Sequence, residues 1–67
     1  MRWFEEHRQA WIGEMLRIYG FINREHLMKK FGVSTPQASK DLNRYLRKNP
    51  EKVYYDLSAK KYVRIGK

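Results

Sequence analysis

Sixty-seven residues carry 15 Lys and Arg against 7 Asp and Glu, a formal net charge of +8, and a chain of this length makes a single domain, residues 1–67, with a small core. The absence of cysteine excludes disulfide stapling, thiolate metal sites and cysteine nucleophiles, and no apolar run is long enough for a membrane span or a signal-peptide core. With 42% hydrophobic and 15% aromatic residues, the chain is also too apolar for a disordered basic tail.

The first predicted element is a helix from Arg2 to Tyr19. Phe4, Trp11, Met15 and Ile18 form one stripe on a 3.6-residue period, with Ile12, Leu16 and Tyr19 beside it. This apolar arc is wider than one packed face requires, which predicts a second use for the helix as a homodimer interface through Trp3, Trp11, Ile12 or Leu16. Gly20 stops the helix, and Phe21-Ile22 is a short extended or turn element. Asn23 is a good N-cap for a second helix over 24–31, with Leu27, Met28 and Phe31 inward and Gly32 as its left-handed stop. Ser34 opens a third helix reaching Lys48. Ser34 and Gln37 have the spacing of a capping box, and Pro36 sits in the first turn, where its missing N–H costs nothing. Asn49-Pro50 closes the helix. The period then changes from 3.6 to 2, and runs 52–56 and 61–65 read as two strands joined by the loop 57–60.

Charge is distributed unevenly over these elements. Residues 1–23 are net neutral, 24–48 carry +5 and 49–67 carry +3. The front of the chain reads as frame, and the remainder as a surface facing a polyanion.

A helix, a Gly-containing turn, a longer helix and then a hairpin make a winged helix-turn-helix: mainly α, with three helices and a two-stranded wing. On the third helix Ala38, Leu42, Tyr45 and Leu46 share the inward face. The opposite face, Pro36, Gln37, Lys40, Asn43, Arg44 and Arg47 with Ser39 at its margin, has no acidic residue, whereas a merely solvated face mixes Glu with Lys. Thr35, Pro36, Gln37, Ser39 and Lys40 are therefore expected at base edges in the major groove of double-stranded DNA. Arg24, Lys29, Asn43, Arg44 and Arg47 are expected on phosphates, with Lys60 and Lys61 working from the wing, where lysines also guard an edge strand. Asp41 lies beside the core face and reads as structural, pairing with a basic side chain of the first helix or holding a backbone amide. Tyr54, Tyr55 and Tyr62 read as sheet-packing residues. His7 and His26 lie on different helices without ligand spacing, so no catalytic residue, metal site or cofactor is expected. A second reading is a winged-helix interaction module for an acidic protein, such as a phage-encoded inhibitor.

Asn23-Arg24, Leu27-Met28 and Phe31-Gly32-Val33-Ser34 are similar to a bacterial DeoR-like helix-turn-helix. More closely, the run 36–42 (PQASKDL), with Tyr55-Asp56 and the run 58–62 (SAKKY), resembles the N-terminal winged helix of WYL-domain transcriptional regulators, in the subgroup associated with anti-phage defence loci. The resemblance spans nearly the whole chain. It implies a sequence-specific DNA-binding repressor in the bacterial cytoplasm, associated with the nucleoid, acting as a homodimer on an inverted repeat. Those regulators continue into a WYL ligand-sensing domain. No such effector domain lies within these residues, so the expectation is either a stand-alone regulator or the reading head of a larger one.

Overall fold

The computed structural model describes residues 2–66, with side chains from Phe4 onward. Its elements are α1 (Arg2–Tyr19), β1 (Phe21–Ile22), α2 (Arg24–Phe31), α3 (Thr35–Lys48), β2 (Val53–Asp56) and β3 (Lys61–Arg64). The punctuation residues explain the boundaries. Asn23 Oδ1 accepts the His26 N–H at 3.1 Å, and the Asn23 N–H donates to His26 Nδ1 at 3.2 Å. That is a reciprocal capping box, with histidine in the place ordinarily taken by Glu or Gln. Gly32 ends α2 in the left-handed conformation, φ 69°, where an L side chain would be strained. Ser34 Oγ accepts the Gln37 N–H at 3.3 Å and starts α3. Asn49 closes α3 with its backbone N–H and Nδ2 both on the Tyr45 carbonyl.

The sheet has three strands, one more than the hairpin requires. Its order is β1-β3-β2, antiparallel throughout, with Ile22 and Tyr55 both opposite Tyr62, and Phe21 and Tyr54 both opposite Val63. Directly opposed residues share a face. Ile22, Tyr62, Tyr55 and Val53 therefore look toward the helices, while Phe21, Val63 and Tyr54 look away. An isolated hairpin is marginal in water. Here β1 anchors it, and Arg64 ties it to the end of α1, its N–H on the Gly20 carbonyl (2.8 Å) and Nη1 on the Arg17 carbonyl (3.1 Å). A cation at a helix C-terminus also suits the helix dipole.

The core consists of Ile12, Leu16, Ile22, Leu27, Ala38, Leu42 and Val53, and burying each of the large aliphatic side chains contributes about 1.5–3 kcal/mol. The stripe expected on α1 is displaced. Ile12 and Leu16 are its buried centre, Trp11 and Met15 pack alongside, and Phe4, Ile18 and Tyr19 are at least half exposed. The cause is α3, which meets α1 on residues that no hydrophobicity pattern marks. Gly13 faces the Tyr45 hydroxyl so closely that a Cβ would lie 3.1 Å from it, and Arg8 and Gln9 bond to Asp41. Ile12 and Leu16, at 0% and 4% exposure, belong to this chain's own core and are unavailable to a dimer interface, a correction to the expectation above. Trp11 is partly buried, its ring edge-on to Phe31 at 5.4 Å. The side chain of Trp3 lies outside the described residues.

Candidate nucleic-acid interface

Along the outside of α3, Thr35, Pro36, Lys40, Asn43 and Arg47 are exposed. Helical spacing puts Pro36, Lys40, Asn43 and Arg47 in one stripe opposite Ala38 and Leu42, which are buried, while Thr35 lies on the Leu42 side of the helix and donates from Oγ1 to Met28 Sδ at 3.5 Å. Ser39 is half-buried at the edge of the stripe. A second surface meets this stripe. Arg24 at the start of α2, Ser39, Leu42 and Asn43 on α3, and Tyr55, Lys60 and Tyr62 on the hairpin line one cleft of about 130 Å³. The Tyr62 hydroxyl donates to Asn43 Oδ1 at 2.9 Å, fixing the angle between wing and helix and leaving the Asn43 amino group to face outward. Burial raises the Tyr62 pKa, the neighbouring Tyr55 adds to this, and Arg24 opposes it. Tyr55 packs on Tyr62 with ring centroids 4.8 Å apart.

The structure thus brings together Pro36, Ser39, Lys40, Asn43 and Arg47 with Arg24 and Lys60, and leaves Thr35 against Met28 in the first turn. Four other expected contacts are placed differently. The Gln37 side chain, expected to fold back on the cap and to face bases, donates from Nε2 to Asp41 Oδ1 at 3.0 Å. Arg44 turns toward α1, its Nη1 3.6 Å from Glu5 Oε1, with both side chains about 40% exposed; such a pair is weak. Lys29 lines a separate groove with Trp11, Met15, Tyr19, Phe21, His26 and Lys30. Lys61 sits on the outer sheet face with its ammonium 4.4 Å from the Phe21 ring centroid, because strand alternation turns it away from Tyr62.

Asp41 has the structural role its position on the wheel predicted. It is 2% exposed and accepts Arg8 Nε on Oδ2 at 2.6 Å and Arg8 Nη2 on Oδ1 at 3.3 Å. Gln9 Nε2 donates to its backbone carbonyl at 2.8 Å. Sequence reasoning missed Tyr55 and Tyr62 as walls of the cleft. Their alternation with Tyr54 marked which face they share, but only β1 shows which face the helices cover. Both histidines are engaged, His7 edge-on to Phe31 and His26 in the α2 cap. Among the described residues no group of three His, Cys, Asp or Glu could hold a metal ion, and no helix is long and apolar enough to cross a membrane. The assembled surface offers cations, amides and hydroxyls, the groups that meet phosphate oxygens and base edges.

Comparison with known proteins agrees with this geometry. The family model described as the BrxR transcriptional regulator winged helix-turn-helix domain matches residues 5–66. The chain is 44% identical over 61 residues to a DNA-binding transcriptional repressor CapW of Escherichia coli (strain KTE188), covering 91% of this chain and 20% of that protein. It is 41% identical over 61 residues to the repressor of the same name in Pseudomonas aeruginosa, covering 91% and 20%, and 36% identical over 63 residues to that of Stenotrophomonas maltophilia, covering 94% and 21%. The chain therefore spans about a fifth of the length of these curated relatives. None of these names supports the alternative of a module for an acidic protein.

Proposed function

The chain belongs to the BrxR transcriptional regulator winged helix-turn-helix family, and on that premise we propose that it is a sequence-specific double-stranded DNA-binding repressor whose α3 enters the major groove. The observation that carries the reading is the acid-free outer stripe of α3 continuing into the Arg24–Lys60 cleft. Thr35, Pro36, Gln37, Ser39 and Lys40 lie in the first turns of α3, the part of a recognition helix that reaches base edges. Arg47, Asn43, Arg24 and Lys60 hold phosphates, and Arg44 joins them on leaving Glu5. Lys29 and Lys61 stand off this surface. Repression is supported by the names of the relatives, and action at the nucleoid in the bacterial cytoplasm follows from a chromosomal DNA ligand. A homodimer on an inverted repeat is the matching assembly, since two-fold protein symmetry is met by operator symmetry.

Fluorescence anisotropy with a random duplex tests the core of this reading. Four neutralised phosphates predict a log–log salt slope of roughly −4. Lys40→Ala with Arg47→Ala weakens binding on all sequences, and Lys40→Ala alone lowers preference at one base pair. Binding that ignores salt, or no binding at low salt, overturns the proposal.

A further inference from the structure

Gln37 is the third residue of α3, in the turn through which a recognition helix addresses bases. Its backbone N–H is spent on Ser34 Oγ, but its side chain leaves the cap and donates from Nε2 to Asp41 Oδ1 at 3.0 Å. A carboxylate paired with a guanidinium accepts and does not donate, so only the amino end of the amide can face it. The carboxylate is itself held. Arg8 binds both its oxygens, Gln9 binds its backbone carbonyl, and solvent reaches 2% of it. The Gln37 amide therefore has one orientation, with Oε1 directed away from Asp41 and accepting no hydrogen bond among the described residues.

We propose that Asp41 sets base preference through Gln37, by presenting Oε1 as an acceptor to the exocyclic amino group of an adenine or cytosine in the major groove. On the contacted strand, guanine O6 and thymine O4 are acceptors and would oppose Oε1 lone pair to lone pair. Asp41 touches no base; it is a positioning residue, and Gln37 is the specificity-determining one. The inference rests on the DNA-reading function proposed above.

The test combines site selection with base analogues. Selection from a random duplex library with the wild type and with Gln37→Met identifies the base pair whose preference depends on Gln37. Met matches Gln in length and leaves the Arg8–Asp41 pair in place. At that position the amino-bearing base is replaced by its analogue without the amino group, purine for adenine or 2-pyrimidinone for cytosine. The wild type is expected to lose about ten-fold or more in affinity, within the range of one good base contact, and Gln37→Met to lose nothing further. Replacing adenine by 7-deazaadenine, which keeps the amino group, is expected to cost the wild type less. In Asp41→Asn the amide partner can donate as well as accept, Gln37 is free to turn over, and the penalty for removing the amino group shrinks while affinity for random duplex stays. An unchanged selected motif in Gln37→Met, or equal amino-group penalties in wild type and Gln37→Met, overturns the inference even if Asp41→Asn does not fold. A wild type that selects no motif overturns the DNA-reading function itself.

Discussion

Lys60 has φ 57°, the one non-glycine residue with positive φ among the described residues. The loop forces this conformation: the Lys60 N–H donates to the Asp56 carbonyl at 2.7 Å, and the Ala59 N–H to Asp56 Oδ1 at 3.1 Å. A left-handed lysine costs about 1–2 kcal/mol, and glycine at the same place avoids that cost while losing more chain entropy on folding. Strain and cation coincide at one residue, which separates fold from function. Lys60→Gly is expected to raise stability by about 1 kcal/mol in urea denaturation. The same change weakens duplex binding and makes the salt slope shallower by about one. A weaker fold together with unchanged binding would mean that the lysine serves the loop and not the ligand.

Between elements, the contact that sets α3 against α1 is polar. Arg8, 14% exposed, and Asp41 form a part-buried pair, with Gln37 donating to the same carboxylate, Gln9 to the Asp41 backbone carbonyl and Gly13 admitting the Tyr45 ring. Removing one partner of such a pair leaves a charge without compensation, whereas replacing both with apolar groups is often tolerated. Arg8→Met is expected to destabilise by about 3 kcal/mol, and the pair Arg8→Met, Asp41→Leu to recover most of it, measured as a double-mutant cycle by urea denaturation. A double variant as unstable as the single one would place the cost in lost packing and not in the orphaned charge. The caps needed no such tertiary knowledge. Asn23, Gly32 and Ser34 announce the ends of α2 and α3 because each acts through its own neighbours. The pairing of β1 was not legible, since it is decided by β3, about forty residues on, and His26 was missed as the reciprocal cap because that place is ordinarily taken by Glu or Gln.

For the whole molecule, the apolar surface left over differs from the one the α1 wheel suggests. With Ile12 and Leu16 inside, the large exposed apolar side chains of α1 among the described residues are Phe4, Ile18 and Tyr19, and Tyr19 lines one groove with Trp11 and Met15. A homodimer built on α1 would use these side chains. Ile18→Glu is then expected to shift sedimentation toward monomer at micromolar concentration without lowering the melting temperature. Leu16→Ala should instead cost about 2–5 kcal/mol of stability. A dimer unaffected by Ile18→Glu would put the two-fold axis elsewhere. The charge has a direction at this scale as well. Lys40, Arg47, Arg24 and Lys60 converge on one side, while Lys29 and Lys30 flank the groove and Lys61 rests on Phe21.

Sequence by itself determined the element order, the caps, the acid-free face of α3, the structural role of Asp41 and the basic balance of +8, because all of these follow from local periodicity and side-chain chemistry. Tertiary structure alone decided which part of the wide apolar arc of α1 is core, which sheet face each wing lysine occupies, and where the Gln37 amide points. An arc on a wheel has no centre until a partner helix chooses one, and α3 chose it with Arg8, Gln9 and Gly13. An amide has no orientation until a fixed neighbour denies it one of its two, and the Asp41 carboxylate, thirty-three residues from the Arg8 that holds it, supplies that denial.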